Sequence, residues 1–466
     1  MSRSPRLRIA GVHAAQLAAH LFPGDGKEAV AFALCGRHRG KDHDYLLVQE
    51  VFPIPYADCP VRKPDLITWR TDALEPLLAR AARSRLGIVK FHSHPTSYPR
   101  FSAADDQSDT DLFPSVYGWV DDEGPHASVV MLPDGNMFGR VIDVQNRFCA
   151  LDRIVVIGDN IGFAEKDLAA VPGHAQRHAQ LFGTATTNLL RSLVIGVVGC
   201  SGTGGFVVEM LARLGVRRLV LVDPDRVEYR NLNRIVGTTS VDAALRRPKV
   251  EALAESVARI GLGTEVETVA ASVASVEAVN ALATCDVVFG CMDSHDGRRT
   301  LNRIAAFYLL PYFDCGVGLE ADGAGGIDQV CAASHYLQPG ASSVLGRGII
   351  QQQRADAEAM ARTNPAMYAK LRAEKYIAGV EEDRPAVISV NALAAALVVN
   401  EMLARVHHFR DDPDRQFASV RFSFSQMHLD TEKENDLRPV ARALGRGDVE
   451  PLLDMPDLSA SGGGAR

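Results

Sequence analysis

The chain has 466 residues, 47% hydrophobic and 23% charged, an ordinary globular composition with length for roughly two to four domains. A formal charge of −7 and a pI near 6.1 leave no basic excess of the kind that binds nucleic acid or an anionic membrane. The eight cysteines form no CxxC pair, which argues against a thiolate zinc knuckle or a dithiol redox centre. No segment reads as a membrane span or as a secretory leader, and the expected setting is reducing and cytoplasmic. Cys35 and Cys149 sit in apolar runs, where a buried small hydrophobe is expected.

In chain order, 29–37 (AVAFALCGR) and 44–52 (DYLLVQEVF) read as short strands, and 72–83 as an amphipathic helix. A strand at 86–91 (LGIVKF) delivers the chain into 91-FHSHPTSYPRFSAADDQSD-109, and a helix starts near Ser102. Residues 126–131 and 137–143 form a hairpin around the turn signal PDGN, closing one α/β unit near 145–160. A helix over 174–193 follows, and from 194 the pattern becomes strand, glycine-rich turn, helix, strand. Strands at 194–199, 218–222, 266–271, 286–290 and 311–314 alternate with helices at 204–214, 248–260 and 296–308. Such buried apolar strands between helices predict a doubly wound parallel sheet. A glycine-rich passage at 316–326 and a helix at 388–405 continue this domain, and the last twenty residues read as a loose tail.

In the histidine segment, His92 and His94 share one face of an extended stretch because alternate strand residues do. Two imidazoles and one carboxylate suit zinc, with a fourth position left for water. The carboxylate could come from Asp105, Asp106 or Asp109; a helix starting at Ser102 would aim Asp105 back toward the histidines.

The segment resembles the metalloprotease motif H-x-H-P-x6-S-x2-D of the JAB1/MPN/Mov34 (JAMM) family, matched without a gap by His92, His94, Pro95, Ser102 and Asp105. The family's upstream glutamate, which precedes a leucine and a glycine, finds Glu28 in 28-EAVAFALCG-36. By that resemblance His92, His94 and Asp105 would hold Zn2+, Glu28 would take a proton from the attacking water, and Ser102 would hydrogen-bond the oxyanion. The family cleaves the amide after the C-terminal glycine of a ubiquitin-like protein, or smaller amides.

The second signature, 199-GCSGTGG-205, taken alone indicates a nucleotide phosphate site at a helix N-terminus. Asp223 at the end of the next strand fits a ribose hydroxyl, so an NAD enzyme is a competing reading. The polar run 223-DPDRVEYRNLNR-234, Lys249 and 293-DSHDGRRTLN-302 instead supply cations and carboxylates for a triphosphate and a divalent ion.

These features resemble the ThiF/MoeB/HesA (ubiquitin-activating-like) superfamily over about residues 174–405. The resemblance implies ATP- and Mg2+-dependent adenylation of the C-terminal carboxylate of a ubiquitin-like or sulfur-carrier protein. It gives Gly199, Ser201, Gly202 and Gly204 to the nucleotide loop, with Ser201 where a glycine is usual. It gives Asp223 to the ribose, Asn231, Arg234 and Lys249 to the phosphates, and Asp293 to magnesium, with Asp225 and Arg298 also in the nucleotide site. Arg177 in RHAQLFG matches an arginine that homodimeric members insert into the partner's site, which implies a homodimer. Many relatives carry P-G-x-x-C-L-x-C, half of a structural zinc site; here Ser343 and Gly346 replace both cysteines, so no tetrathiolate zinc is expected. Cys315 and Cys331 are the candidates for a thioester, and both read better as packed residues.

The expected whole is therefore an N-terminal JAMM-type α/β domain over 1–155, a helical lead-in over 156–192, a Rossmann-like ThiF-type domain over 193–425 and a tail over 426–466. Its expected partners are the carrier protein and a conjugating enzyme or sulfurtransferase. The competing whole-chain readings are sulfur-carrier-dependent biosynthesis of a small molecule and a non-catalytic scaffold.

Overall fold

The computed structural model describes residues 4–164, 171–322, 326–374, 386–435 and 444–459. Contacts divide the chain into one unit of Met1–Lys166, Phe307–Leu309 and Arg442–Val449, and a second of Asp167–Ala306, Leu310–Ala441 and Glu450–Arg466.

The first unit runs β1 (Ser4–Ala10), α1 (Gly11–Leu21), β2 (Val30–Arg39), β3 (His43–Pro53), β4 (Val61–Lys63), β5 (Leu66–Thr68) and α2 (Glu75–Ser84). It continues through β6 (Gly87–Ser93), α3 (Ala103–Val120), β7 (His126–Met131), β8 (Met137–Ile142), β9 (Phe148–Ala150), β10 (Arg153–Ile157) and β11 (Ile161–Ala164). Nine of these strands form one sheet, ordered β11-β10-β1-β3-β2-β6-β7-β8-β9. Strand alternation divides its side chains cleanly. Ala31, Ala33 and Cys35 of β2, with Val89 and Phe91 of β6, pack with Leu17 and Leu21 of α1 on one face. Val30, Phe32, Leu34 and Ile88 pack with Leu77 and Leu78 of α2 and Phe113 and Val116 of α3 on the other. Each valine, leucine, isoleucine and phenylalanine among them gains about 1.5–3 kcal/mol on burial. The register puts Lys90 and His92 on the α3 face, between α3 and the sheet.

The second unit runs α4 (Gln176–Leu190), β12 (Val194–Val198), α5 (Gly202–Leu214), β13 (Arg218–Val222), α6 (Ser240–Ala244), α7 (Lys249–Ile260), β14 (Glu265–Val269) and α8 (Val276–Ala283). Then come β15 (Val287–Gly290), α9 (His295–Tyr308), β16 (Tyr312–Ala321), β17 (Ile327–Leu337), α10 (Gln352–Thr363), α11 (Pro365–Ala373), α12 (Ile388–His407), β18 (Ser419–Ser423) and β19 (His428–Glu432). The sheet order is β14-β13-β12-β15-β16-β17-β18-β19. The first five strands are mutually parallel and the last three antiparallel. The fold is mixed α/β, and the order reverses between β12 and β15, where a doubly wound sheet opens a crevice at its strand C-termini.

Several expectations change. The first part of the glycine-rich passage, through Ala321, is strand: Gly316 and Gly318 lie inside β16, paired to Ala333 and Cys331 of β17, and residues 323–325 lie outside the described residues. The C-terminal stretch is folded where described. β19 extends the sheet to Glu432, Leu452, Leu453 and Leu458 are buried, and Asp457 pairs with Arg362 of α10. In the first unit Asp448 accepts from or pairs with His38 Nδ1 at 2.8 Å. Residues 436–443 and 460–466 of the expected tail lie outside the described residues. Cys149 is exposed on the edge strand β9, not buried. By length and composition α12 could cross a membrane, yet it lies against α5, β16 and β17 and buries Glu401 and Arg405.

Candidate metal centre and nucleotide loop

In the first unit β6 carries His92 and ends at Ser93, so that His94 follows in the loop. Ser102 then caps α3: its hydroxyl accepts the Asp105 N–H at 3.2 Å and donates to Asp105 Oδ2 at 2.7 Å. The Ser102 N–H donates to the same oxygen at 2.7 Å, completing a capping box that turns the Asp105 carboxylate back toward β6. Ser102 thus orients a carboxylate here, and its hydroxyl is engaged there rather than standing open for an oxyanion.

His92 Nε2 lies 2.9 Å from Asp105 Oδ1, His94 Nε2 lies 3.3 Å from Asp105 Oδ2, and the two Nε2 atoms are 3.2 Å apart. Asp106 and Asp109, the other two candidate ligands, are both drawn to Arg140. The choice among three aspartates falls to Asp105 because it alone faces the imidazoles. A tetrahedral ion with bonds of about 2.1 Å separates its ligand atoms by about 3.4 Å, close to the 3.2 Å between the imidazole nitrogens and to the 2.9 and 3.3 Å that they keep to the two Asp105 oxygens. His94 Nδ1 faces the Tyr98 carbonyl at 2.8 Å, which favours the tautomer with the lone pair on Nε2. By donor chemistry and spacing, the three residues fit zinc.

Glu28, 5% exposed, lines a cavity of about 20 Å³ with His92, Asp105, Trp69, Lys90 and Ser108, room for about one water. Burial pushes the Glu28 carboxyl up to about 7; Asp105 adds to the rise, while His94 and Lys90 oppose it. Burial would also raise Asp105, but hydrogen bonds from His92 and His94 hold it well below the usual carboxylate range. Burial lowers His92, whereas Asp105 and the Tyr98 carbonyl outweigh burial at His94 and raise it. A groove of about 660 Å³ shares Leu66, Ile67, Trp69, Ala104 and Ser108 with this cavity, and α3 lines it as far as Trp119. Its charged lining is wholly acidic: Asp72, Glu75 and Asp111.

In the second unit the chain leaves β12 through Gly199, whose φ is +90°. A Cβ on Gly204 would fall 1.8 Å from the Gly199 carbonyl oxygen, so the first turn of α5 closes against the strand only with glycine there. Gly202 is packed against Asn391, and Ser201 is the N-cap of α5 without a side-chain capping bond. Asp223 is buried at the end of β13; its carboxylate accepts the Cys200 N–H at 2.7 Å and the Asp225 N–H at 2.8 Å. Burial raises its carboxyl despite the nearby Lys249 ammonium. Lys249 Nζ reaches Asp225 Oδ2 at 2.7 Å and Asp223 Oδ1 at 3.8 Å. The structure therefore brings the glycine turn, Asp223, Asp225 and Lys249 together.

The remaining positions vary. Asn231 is buried, and its Oδ1 accepts the Glu228 N–H at 3.1 Å. The Arg234 stem lies beside Gly202, and its guanidinium donates to the Arg230 carbonyl at 2.8 Å. Asp293 is exposed three residues beyond β15. Arg298 is buried and bound to Asp314 Oδ1 at 3.1 Å, so its charge already has a protein partner. Arg177 is exposed on the first turn of α4, before a break at Gly183. Cys315 and Cys331 are buried, as expected. Sequence reasoning overlooked Lys90, Trp69 and Arg140; Lys90 had a signal, because it shares parity with His92 on β6.

Two family models match the chain: the ThiF family over residues 174–439 and prokaryotic homologues of the JAB domain over residues 12–139. Ubiquitin-like modifier-activating enzyme 5 of Culex quinquefasciatus is 31% identical over 163 residues, covering 32% of this chain and 38% of that protein. The Aedes aegypti protein of the same name is 31% identical over 144 residues, covering 28% of this chain and 36% of its own length. The chain thus spans well under half the length of these curated relatives. Among solved structures, E. coli MccB with MccA-N7isoASN aligns at a TM-score of 0.45 and 15% identity, covering 58% of this chain and 75% of that one.

Proposed function

We propose, from the premise that this chain belongs to the ThiF family and carries a JAB-like domain ahead of its ThiF domain, that it adenylates the C-terminal carboxylate of a ubiquitin-like or sulfur-carrier protein and hydrolyses the amide bond after such a tail. One observation carries the hydrolytic half: His92, His94 and Asp105 converge, and His92 and Asp105 share one small cavity with a buried Glu28. Zinc, when bound, would supply a Lewis acid for the amide carbonyl and acidify water. Glu28, with its carboxyl near 7, takes the proton of the attacking water and returns it to the leaving amine. The acidic groove along α3 suits an extended tail with basic and apolar side chains.

Adenylation asks less covalent chemistry of the chain. The N–H groups opening α5 receive phosphate oxygens, and Arg234 and Lys249 exchange their present partners for phosphate as the carrier carboxylate attacks the α-phosphorus and pyrophosphate leaves. Asp293, an exposed carboxylate, would hold the magnesium. Exposed Arg177 is assigned to the nucleotide loop of a second copy. Cys315 and Cys331 are buried, which argues against either as the nucleophile of a thioester.

ATP–pyrophosphate exchange with each ubiquitin-fold protein of the source organism tests the second activity and names the partner. Cleavage of a carrier-tail amide, with and without added zinc, tests the first. Glu28→Ala should abolish cleavage and spare exchange, and Asp293→Ala should do the reverse. Loss of both activities in each folded variant would sink the picture of two sites.

A further inference from the structure

Lys90 stands two residues before His92 on the same face of β6, and Asp109 stands four residues after Asp105 on α3. Two strand residues advance about 6.6 Å and four helical residues about 6.0 Å, so the two spacings nearly coincide. The result is a two-rung ladder between strand and helix. The upper rung is His92–Asp105, and the lower is an ion pair between the Lys90 ammonium and Asp109. Both lower partners are sealed from water, Lys90 at 2% exposure and Asp109 at 0%. Ser108 Oγ lies 3.3 Å from the ammonium, and the Trp69 ring lies 5.6 Å away.

The other side of Asp109 is fixed from β8. Its Oδ2 accepts Arg140 Nε at 3.0 Å and a terminal nitrogen at 2.6 Å, while Arg140 also donates to Asp106 at 2.5 Å. The guanidinium is sandwiched between the Phe101 and Phe148 rings at 3.9 and 4.0 Å. Stability alone does not call for this arrangement, since apolar residues of similar volume usually replace a buried ion pair without loss. Register does call for it. A slip of α3 by one residue would move Asp105 by about 1.5 Å and turn it by about 100°, away from both imidazoles.

We propose that Lys90 and Asp109 form a register clamp between β6 and α3 that holds Asp105 against His92 and His94, which makes Lys90 a positioning residue of the metal centre. The proposal rests on the zinc reading only in taking those three side chains as ligands.

The test uses the full chain stripped of metal, with zinc affinity measured by competition against a chromophoric chelator and ligand geometry by the visible absorption of the cobalt-loaded protein. Lys90→Met removes the rung, and Lys90→Gln and Asp109→Asn weaken it while keeping hydrogen-bonding atoms. Leu17→Ala, in the core on the opposite face of the sheet, serves as a control for general destabilisation. The clamp predicts zinc binding about 10–100-fold weaker in each folded clamp variant, with an altered cobalt spectrum, and wild-type affinity in Leu17→Ala. Wild-type affinity and spectrum in the folded clamp variants would overturn the clamp. An equal loss of affinity in Leu17→Ala would overturn it too, by reducing it to general destabilisation. No zinc uptake by the parent chain would remove the metal reading before any variant is compared.

Discussion

A histidine buried without a carboxylate to hold its charge stays neutral, and His126 is such a residue. It is fully buried on β7, its Nδ1 accepts the Ile88 N–H at 2.9 Å, and the edge of Tyr117 packs on it at 4.7 Å. Burial pushes its pKa down to about 3, Arg37 lowers it further, and Asp122 opposes both. The unfolded chain takes up this proton near the ordinary value of about 6.5, while the folded chain resists until about 3. The stabilisation is therefore complete above about 6.5 and lost as pH falls through that window, by up to about 1.4 kcal/mol per pH unit. Urea midpoints at stepped pH should fall less steeply between pH 6 and 4 in His126→Gln than in the parent. Parallel slopes would show that other groups govern acid unfolding. The same residue scale shows what Ser102 contributes: Ser102→Ala removes one hydrogen bond to Asp105 and a helix cap, about 1 kcal/mol of stability. Thermal or urea unfolding of this variant checks that figure.

Among the elements, the corner after β17 is held by charge. Arg347 forms a buried ion pair with Glu434, and Ser342 Oγ accepts from Arg347 Nε at 2.6 Å. Removing one partner strands the other, so Glu434→Gln should cost about 3–5 kcal/mol, whereas Glu434→Leu with Arg347→Met should cost less, about 1–3 kcal/mol, for the Ser342 N–H and hydroxyl left without their acceptor. Chemical denaturation of the two variants decides between these outcomes. Apolar strands such as β2, β3, β6, β7 and β12 were legible because burial on both faces writes a continuous run. β1 was not, since SPRLRIA carries Arg6 and Arg8, both buried, one bonded to Asp152 and the other stacked on Tyr45. Gly316 and Gly318 hid the extent of β16, which was read as strand only over 311–314. Of the candidate ligands, His92 and His94 were legible from strand parity, while spacing left Asp105, Asp106 and Asp109 open and the family resemblance singled out Asp105. Lys90 was hidden, since a lone cation in an apolar strand reads as a blemish until Asp109 is seen opposite.

For the molecule as a whole, contacts divide the chain into two units, and the candidate metal site lies in the first. If zinc binds at His92, His94 and Asp105, ligand linkage stabilises the unit that holds them by about 2.7 kcal/mol at a hundredfold excess over the dissociation constant. Hydrogen exchange with and without zinc should show added protection in β6 and the first turns of α3, and none around β17 or Arg347. Protection spread evenly over both units would contradict a site confined to the first. The ion pair at the β17 corner then has a consequence for life under metal scarcity. Where relatives staple this region with thiolates that a chelator can strip, this chain uses Arg347, Glu434 and Ser342, with Ser343 and Gly346 in the cysteine positions. Under the proposed function, zinc starvation would empty the His92–His94–Asp105 site of the first unit and leave this corner of the second unit folded, because its ion pair needs no metal.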